Sequence, residues 1–218
     1  MKKAKVLLIS PNIVGSKNGI NRLYPGMGIA CLASQLRKAG HQVIVRDTAL
    51  EGWKNEKPLE NNENSIIIGE SDDQIAEYVR SVDPDIVGIS FIFSSSLDSV
   101  KNTAKIVKSV NPKIPVVIGG NHVTNVVKDY YYALDNKLQD SLFEYFFRSD
   151  ICDENIDYAV LGEGDFVFVE LVERLINKQD VTGINNLILP PLSLHLILLW
   201  RRLLIFLTCQ FRLGICLT

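Results

Sequence analysis

The feature that most constrains the fold of this chain is the stretch between residues 84 and 124. It contains two short runs rich in β-branched residues, 86–93 and 116–118, and apolar residues recur at helical spacing between them. A strand, a helix and a strand within about 35 residues form the βαβ unit of a parallel sheet, in which helices cover the faces. This stretch therefore predicts a buried parallel sheet.

The rest of the chain alternates between strand-like and helix-like segments in the same way. These segments are residues 5–10, 26–39, 41–46, 72–82, 157–161 and 166–177. Alternation of this kind predicts an α/β fold. We expect a doubly wound, flavodoxin-like fold with a five-stranded parallel sheet, in the strand order 2-1-3-4-5, and with helices on both faces. The polar residues 47–71 are expected to form a mobile excursion.

Small and polar residues follow the ends of the predicted strands. Ser90 and the serines at 94–96 follow one strand, Gly119 and Gly120 follow the next, and the Gly-Glu-Gly sequence at 162–164 follows the last. Residues with little side-chain bulk leave a cleft at the carboxyl ends of the strands, where open α/β sheets bind ligands. The sequence therefore predicts a ligand site at this edge of the sheet.

Composition argues against several classes of function. The 218-residue chain is 47% hydrophobic and 22% charged, which is ordinary for a globular protein. Its net charge of −2 gives no electrostatic reason to expect nucleic acid or an anionic membrane as a partner. The four cysteines lack CxxC spacing, which favours neither a zinc site nor a disulfide framework. We therefore expect a cytoplasmic protein, and the first residues do not resemble a signal peptide.

No group of residues forms a recognisable catalytic set. Gly26 and Gly28 resemble part of a dinucleotide fingerprint, but Cys31 stands where the third glycine is needed. His122 has no partner at metal-ligand spacing, which favours a hydrogen-bonding loop residue over a metal ligand. Glu163 lacks an accompanying nucleophile or acid, so a role as hydrogen-bond acceptor is favoured over that of a general base. We predict neither catalytic residues nor metal ligands.

Short motifs in a fixed order resemble those of a known family. They are YPGMGIACLAS at 24–34, GHQV at 40–43, DPDIVGIS at 83–90, VVIGGNHVT at 116–124 and DYAVLGEGD at 157–165. Together with Pro-Asn after the first predicted strand, the set resembles the amino-terminal cobalamin-binding domain of cobalamin-dependent radical S-adenosylmethionine enzymes. The resemblance extends over residues 5–189.

The resemblance implies that cobalamin, a corrinoid, lies across the carboxyl ends of the strands. Glycines there allow close backbone approach, and hydroxyl groups can bind the nucleotide tail or the amide side arms. Other cobalamin domains carry, after the first strand, a histidine that ligates cobalt; the loop at 11–15 has none. The residues expected to contact the cofactor are Asn12, Ser90, Ser94, Ser95, Gly119, Gly120, His122, Thr124, Gly162, Glu163 and Gly164.

The family continues into a barrel domain whose Cys-x-x-x-Cys-x-x-Cys motif holds a [4Fe–4S] cluster. This sequence lacks that motif, so neither the cluster nor S-adenosylmethionine is expected in this chain. An alternative is a stand-alone, non-catalytic module of the same fold that binds another small ligand or a partner. A hydrolase is disfavoured because no nucleophile and base form a recognisable pair.

The last part of the chain departs from this pattern. No Asp or Glu follows Asp180, and the run after Pro190 and Pro191 is almost wholly apolar. Arg201 and Arg202 interrupt that run, which disfavours a membrane-spanning helix. We interpret residues 1–185 as a cobalamin-binding α/β domain and residues 186–218 as an aberrant apolar tail, of the kind that a shift of reading frame or an assembly error would produce. No firm membrane association is expected.

Overall fold

The computed structural model describes residues 2–24, 26–59, 62–138 and 142–189. The strands in these ranges are β1 (Lys5–Ser10), β2 (Ile13–Ser16), β3 (Gln42–Asp47), β4 (Glu56–Leu59), β5 (Asn62–Ile68), β6 (Ile86–Ser90), β7 (Val116–Gly119), β8 (Tyr158–Val160) and β9 (Leu187–Ile188). The α-helices are α1 (Met27–Lys38), α2 (Thr48–Glu51), α3 (Asp72–Val82), α4 (Leu97–Val110), α5 (Asn121–Asp135), α6 (Leu142–Phe146) and α7 (Gly164–Ile176). A short 3₁₀ turn (Ser94–Ser96) precedes α4, and a π-helical turn (Phe147–Ile151) follows α6.

The main sheet has six strands in the order β3-β1-β6-β7-β8-β9. Neighbouring strands from β3 to β8 run parallel, whereas β9 pairs antiparallel to β8, with Leu187 opposite Val160. The predicted α/β fold with a mostly parallel sheet is confirmed. The predicted count of five strands is wrong because β9 extends the edge of the sheet by one strand.

Helices cover the main sheet on both of its faces. Successive residues of β1 point to opposite faces, as in any strand. Leu7 and Ile9 pack in a core with α3, α4 and α5, whereas Val6 and Leu8 pack in a second core with α1 and α7. A sheet buried on both faces explains why β1 reads as a continuous apolar run without polar alternation.

Local signals in the sequence explain where α3 begins and ends. The Ser71 hydroxyl accepts a hydrogen bond from the Gln74 N–H, and the Gln74 side chain accepts one from the Ser71 N–H, which is a capping box. Asp83 closes the helix in the left-handed conformation, with φ of 46°, and Pro84 prevents its continuation. The chain therefore leaves α3 and enters β6 after a short connection.

A second, smaller sheet contains three antiparallel strands in the order β2-β5-β4. No strand was predicted within residues 47–71, so β4 and β5 were missed. Ile66 and Ile68 of β5 are buried, and their burial holds this sheet in place. The Arg46 guanidinium of β3 pairs with the buried Glu70 carboxylate just after β5, and so joins the two sheets at the end of β3.

The end of the described chain belongs to the main sheet. Leu187 is buried, and the N–H of Leu161 donates to the carbonyl of Asn186 at 2.9 Å. The predicted domain boundary at residue 185 thus falls just before a strand. The tail from residue 190 lies outside the described residues. Within the part of the chain that the structure describes, no helix is both long enough and apolar enough to cross a membrane.

Candidate functional site

A cleft of about 550 Å³ opens at the carboxyl ends of β6 and β7. Its walls are formed by α1, by the amino-terminal halves of α5 and α7, and by the residues at the ends of β6, β7 and β8. It extends down between α1 and α7 to Gly88, in the middle of β6. Its size is within the range of about 300–1,000 Å³ that is usual for sites of small molecules and cofactors.

Gly88 and Phe168 form the inner end of the cleft. A Cβ atom on Gly88 would lie 2.9 Å from Cδ2 of Leu8 and 3.0 Å from Cζ of Phe168. The missing side chain therefore lets the Phe168 ring of α7 pack directly over β6. Because Phe168 is buried, it closes the bottom of the cleft with an apolar surface.

Gly120 lies where the segments after β6 and β7 cross at close range. Its φ is 129°, and an added Cβ would lie 2.7 Å from the carbonyl oxygen of Phe91. The N–H of Phe91 donates to the carbonyl of Gly119 at 2.7 Å, and the N–H of His122 donates to the carbonyl of Phe91 at 3.2 Å. The glycine is therefore required by the packing of the protein itself, whatever occupies the cleft.

Thr124 lines the cleft, but its hydroxyl group is already engaged. It donates to the carbonyl of Gly120 at 3.1 Å and accepts from the N–H of Gly162 at 2.9 Å. The side chain thus joins the first turn of α5 to the turn between β8 and α7. The hydroxyl of Thr124 therefore positions two walls of the cleft. Its contact with a ligand stays a prediction.

Several polar side chains surround the opening of the cleft. Ser90 ends β6, Asn121 and Lys128 belong to α5, and Glu163 and Asp165 flank the start of α7. Glu163 occupies the N-cap position of α7 without a side-chain cap hydrogen bond. The opening therefore presents a hydroxyl, an amide, one ammonium group and two carboxylates.

Of the residues predicted from the sequence, seven line the cleft: Ser90, Gly119, Gly120, Thr124, Gly162, Glu163 and Gly164. The four others do not line it: Asn12, Ser94, Ser95 and His122. Ser94 and Ser95 are exposed in the 3₁₀ turn that precedes α4. Asn12 donates to the carbonyl of Glu70 at 2.8 Å and so supports the junction with the small sheet.

His122 is held by an acidic partner outside the cleft. Its Nε2 lies 2.8 Å from Oδ2 of Asp150, which is buried in the π-helical turn. Its ring packs against the ring of Phe91, with 4.3 Å between the centroids. Among the described residues, no group of three or more His, Cys, Asp or Glu is arranged to hold a metal ion.

The wall formed by α1 was not predicted from the sequence. Gly28, Ile29, Cys31 and Leu32 of this helix line the cleft. The signal that could have revealed it is Gly28, a residue without a side chain in the first turn of α1. A Cβ added at this position would meet no atom within 4 Å. The absence of a side chain at Gly28 therefore widens the cleft.

A family model for the B12-binding domain matches residues 20–140. Cytidylyl-2-hydroxyethylphosphonate methyltransferase of Streptomyces wedmorensis is 30% identical over 183 residues, which are 83% of this chain and 30% of that protein. An uncharacterized methyltransferase of Pyrococcus horikoshii is 31% identical over 188 residues, 86% of this chain and 33% of that protein. Anaerobic magnesium-protoporphyrin IX monomethyl ester cyclase of Rubrivivax gelatinosus is 27% identical over 168 residues, 77% of this chain and 24% of that protein.

Similar solved structures include a cobalamin-binding protein from Desulfitobacterium hafniense, with a TM-score of 0.46 and 18% identity over 79% of this chain and 59% of that one. The anti-anti-sigma factor PhyR from Bartonella quintana gives a TM-score of 0.39 and 12% identity over 82% of this chain and 49% of that one. This chain spans about a third or less of the length of its curated relatives. Since the family model matches more than half of its 218 residues, the chain belongs to the B12-binding domain family.

Proposed function

We propose that this chain binds cobalamin in the cleft between α1 and α7. The observation that carries the proposal is a glycine-lined cleft at the carboxyl ends of parallel strands, in a member of the B12-binding domain family. This is the edge of the sheet at which open α/β folds bind their ligands.

The space around three glycines supports this proposal. A Cβ on Gly28 or Gly162 would meet no atom within 4 Å, and the nearest atom to one on Gly164 is Cγ1 of Val160, at 3.8 Å. The bare backbone at these positions leaves room for a bulky ligand. At Gly28 and Gly164 the protein's own packing does not require the absence of a side chain, in contrast with the situation at Gly88 and Gly120. At Gly162 the backbone itself, with φ of 66°, favours glycine.

The chemistry of the lining also suits this cofactor. Ile29, Leu32 and Phe168 make the inner walls apolar, which suits a flat heteroaromatic base. Ser90 and Asn121, at the opening, offer a hydroxyl and an amide to the amide side arms of a corrinoid. When bound, cobalamin supplies a cobalt ion that can carry a methyl group. The residues of this chain would hold and orient the cofactor.

We also propose that the domain serves a larger enzyme of the radical S-adenosylmethionine type. Two of its relatives are named as methyltransferases, and both are about three times as long as the part that this chain matches. On this proposal, residues 1–185 and the edge strand β9 constitute the cofactor-binding domain. The [4Fe–4S] cluster and S-adenosylmethionine would then be bound by another part of the enzyme.

The binding proposal is tested with the purified full chain and hydroxocobalamin. We expect binding of one cofactor per chain, measured by equilibrium dialysis and by a change in the visible spectrum. Gly28→Leu and Gly164→Leu each place a side chain in open space of the cleft, so both should lose most of the binding without loss of fold. Ala30→Leu is the matched control, since Ala30 is exposed on α1 and does not line the cleft.

Circular dichroism and thermal melting establish that each variant is folded. The proposal is overturned if the folded wild-type chain retains no cobalamin while an established binder retains it in the same experiment. It is also overturned if folded Gly28→Leu and Gly164→Leu variants bind as tightly as the wild type, because the cofactor would then lie elsewhere.

A further inference from the structure

Three side chains of α5 line the cleft from one side of the helix. Asn121, Thr124 and Lys128 are separated by three and then four residues, a spacing that places them on one helix face. The Thr124 hydroxyl is engaged with backbone groups of the protein. The amide of Asn121 and the ammonium group of Lys128 are therefore the donors that this face offers to a ligand.

The charges around the cleft are unevenly placed. Among the described lining residues, Lys128 is the one cation, and the carboxylates of Glu163 and Asp165 lie on the wall formed by α7. None of the ion pairs formed by the described residues includes Lys128. Its ammonium group thus has no carboxylate of the described residues within 4 Å. The charged side chains of the cleft therefore favour an anionic group beside Lys128 over one beside Glu163 and Asp165.

Cobalamin carries one group that matches this arrangement. Its corrin side arms end in neutral amides, whereas its nucleotide loop contains a phosphodiester that is negatively charged at physiological pH. A lysine ammonium group binds phosphate oxygens through charge-assisted hydrogen bonds, and its flexible stem lets it reach them from a helix. The phosphodiester is the natural partner of an unpaired lysine in this cleft.

We propose that Lys128 contacts the phosphodiester of the nucleotide loop and that the site thereby selects complete corrinoids over corrinoids that lack the loop. This inference rests on the proposed binding of cobalamin. It assigns a specificity-determining role to a residue on the α5 wall, separate from the glycines that make room for the cofactor. It also sets the direction of the loop, with the phosphodiester beside α5 and away from Glu163 and Asp165.

The test compares hydroxocobalamin with diaquacobinamide, which lacks the phosphodiester, the ribose and the base. Both are titrated into the full-length wild type, Lys128→Met and Lys128→Arg. We expect Lys128→Met to lower the affinity for hydroxocobalamin about tenfold, which is the effect of one charge-assisted hydrogen bond. Lys128→Arg should retain most of the affinity. Diaquacobinamide should bind wild type and Lys128→Met equally.

Cobinamide phosphate separates the phosphate from the base, because it has the first group and lacks the second. Its binding should weaken in Lys128→Met as that of hydroxocobalamin does, and the loss should shrink at high salt. Lys105→Met is the matched control, since Lys105 is exposed on α4 and does not line the cleft. This variant should bind all three corrinoids as the wild type does.

The possible results distinguish the two proposals. If the wild type binds none of the corrinoids, the proposed function itself is wrong. If the wild type binds hydroxocobalamin but Lys128→Met binds it equally well, the function stands and the role of Lys128 is wrong. The role is also wrong if Lys128→Met lowers the affinities for hydroxocobalamin and diaquacobinamide by the same factor, since the effect would then not depend on the phosphodiester.

Discussion

The hydroxyl oxygen of Thr124 lies 2.9 Å from the backbone nitrogen of Gly162 and accepts its hydrogen bond. Thr124 belongs to the first turn of α5, whereas Gly162 belongs to the turn between β8 and α7, with φ of 66°. The same hydroxyl donates to the carbonyl of Gly120. One buried side chain thus sets the relative positions of two loops that border the cleft.

We predict that Thr124→Val loosens this junction. The substitution keeps the shape of the side chain but leaves the N–H of Gly162 without its acceptor, which should lower the free energy of unfolding by about 1–2 kcal/mol. Urea denaturation measures the change, and Thr124→Ser, which keeps the hydroxyl, is the control. Equal stability of Thr124→Val and wild type would show that the hydrogen bond does not hold the junction.

His122 provides a prediction about the cobalt ion. Its Nε2 contacts the buried Asp150, and its ring packs on Phe91, so the imidazole is held outside the cleft. We expect the electron paramagnetic resonance spectrum of bound cob(II)alamin to be the same in wild type and in His122→Ala. A nitrogen splitting that is present in wild type and lost in the variant would identify His122 as a cobalt ligand and contradict this prediction.

The same variant should be less stable than wild type. The Asp150 carboxylate is buried, and its partners are the His122 ring and the Ser149 hydroxyl. Removing the imidazole leaves part of a buried carboxylate without a hydrogen bond, at a cost of about 1–3 kcal/mol. His122→Ala with unchanged stability to urea would show that the contact contributes little.

His41 predicts a dependence of stability on pH. Its ring is buried, and Nδ1 accepts a hydrogen bond from the N–H of Ala4 at 3.2 Å. Nε2 is also buried and has no hydrogen-bond partner among the described residues. Burial lowers the pKa of His41 below its usual range, although the carboxylate of Glu173 opposes the shift. A protonated ring would also lose the bond from Ala4, because Nδ1 could no longer accept it.

The sign of the effect follows from the lowered pKa. The unfolded state binds the proton more readily, so the folded state is fully stable above the unfolded pKa of about 6.5 and loses stability as the pH falls below it. His41→Gln keeps an acceptor for Ala4 and does not titrate. Between about pH 8 and about pH 5.5, the stability of wild type should fall more steeply than that of the variant. Parallel curves from urea denaturation would contradict the assignment.

The parts of the fold that could be predicted are those determined by local sequence. β-Branched runs that end in small residues marked β6 and β7. Ser90, Gly119 and Gly164 of the cleft could be found because they lie at the carboxyl ends of strands or in the turn that follows one. The role of Gly28 could not be found in this way, since it depends on how α1 packs against strands distant in sequence. Lys128 was missed for a similar reason: only the direction of α5 places it at the cleft.

The small sheet shows a different kind of failure. Ile66, Ile67 and Ile68 form a β-branched run that ends at Gly69, which is a strand signal. The polar residues on either side of this run concealed the strand. Within β5, only Ile66 and Ile68 are buried, so few of its residues had to be apolar. The strand β9 was missed because its two residues, Leu187 and Ile188, are too few to produce a periodic pattern. Its position depends on the exposed edge of β8 and not on its own sequence.

The last prediction compares two shortened chains, one ending after residue 189 and one after residue 185. The shorter chain lacks β9, and with it the buried Leu187 and the hydrogen bond from Leu161 to Asn186. Loss of one buried leucine side chain alone should cost about 1.5–3 kcal/mol.

The longer chain keeps this strand and lacks only the apolar tail, which we interpret as aberrant. Its melting temperature should equal that of the full chain, and its soluble yield should rise, since exposed apolar surface promotes association. If ending the chain after residue 189 lowers the melting temperature by more than about 5 °C, the tail packs natively and the interpretation as a shifted reading frame is wrong. If both shortened chains have the same melting temperature as the full chain, β9 contributes nothing to stability.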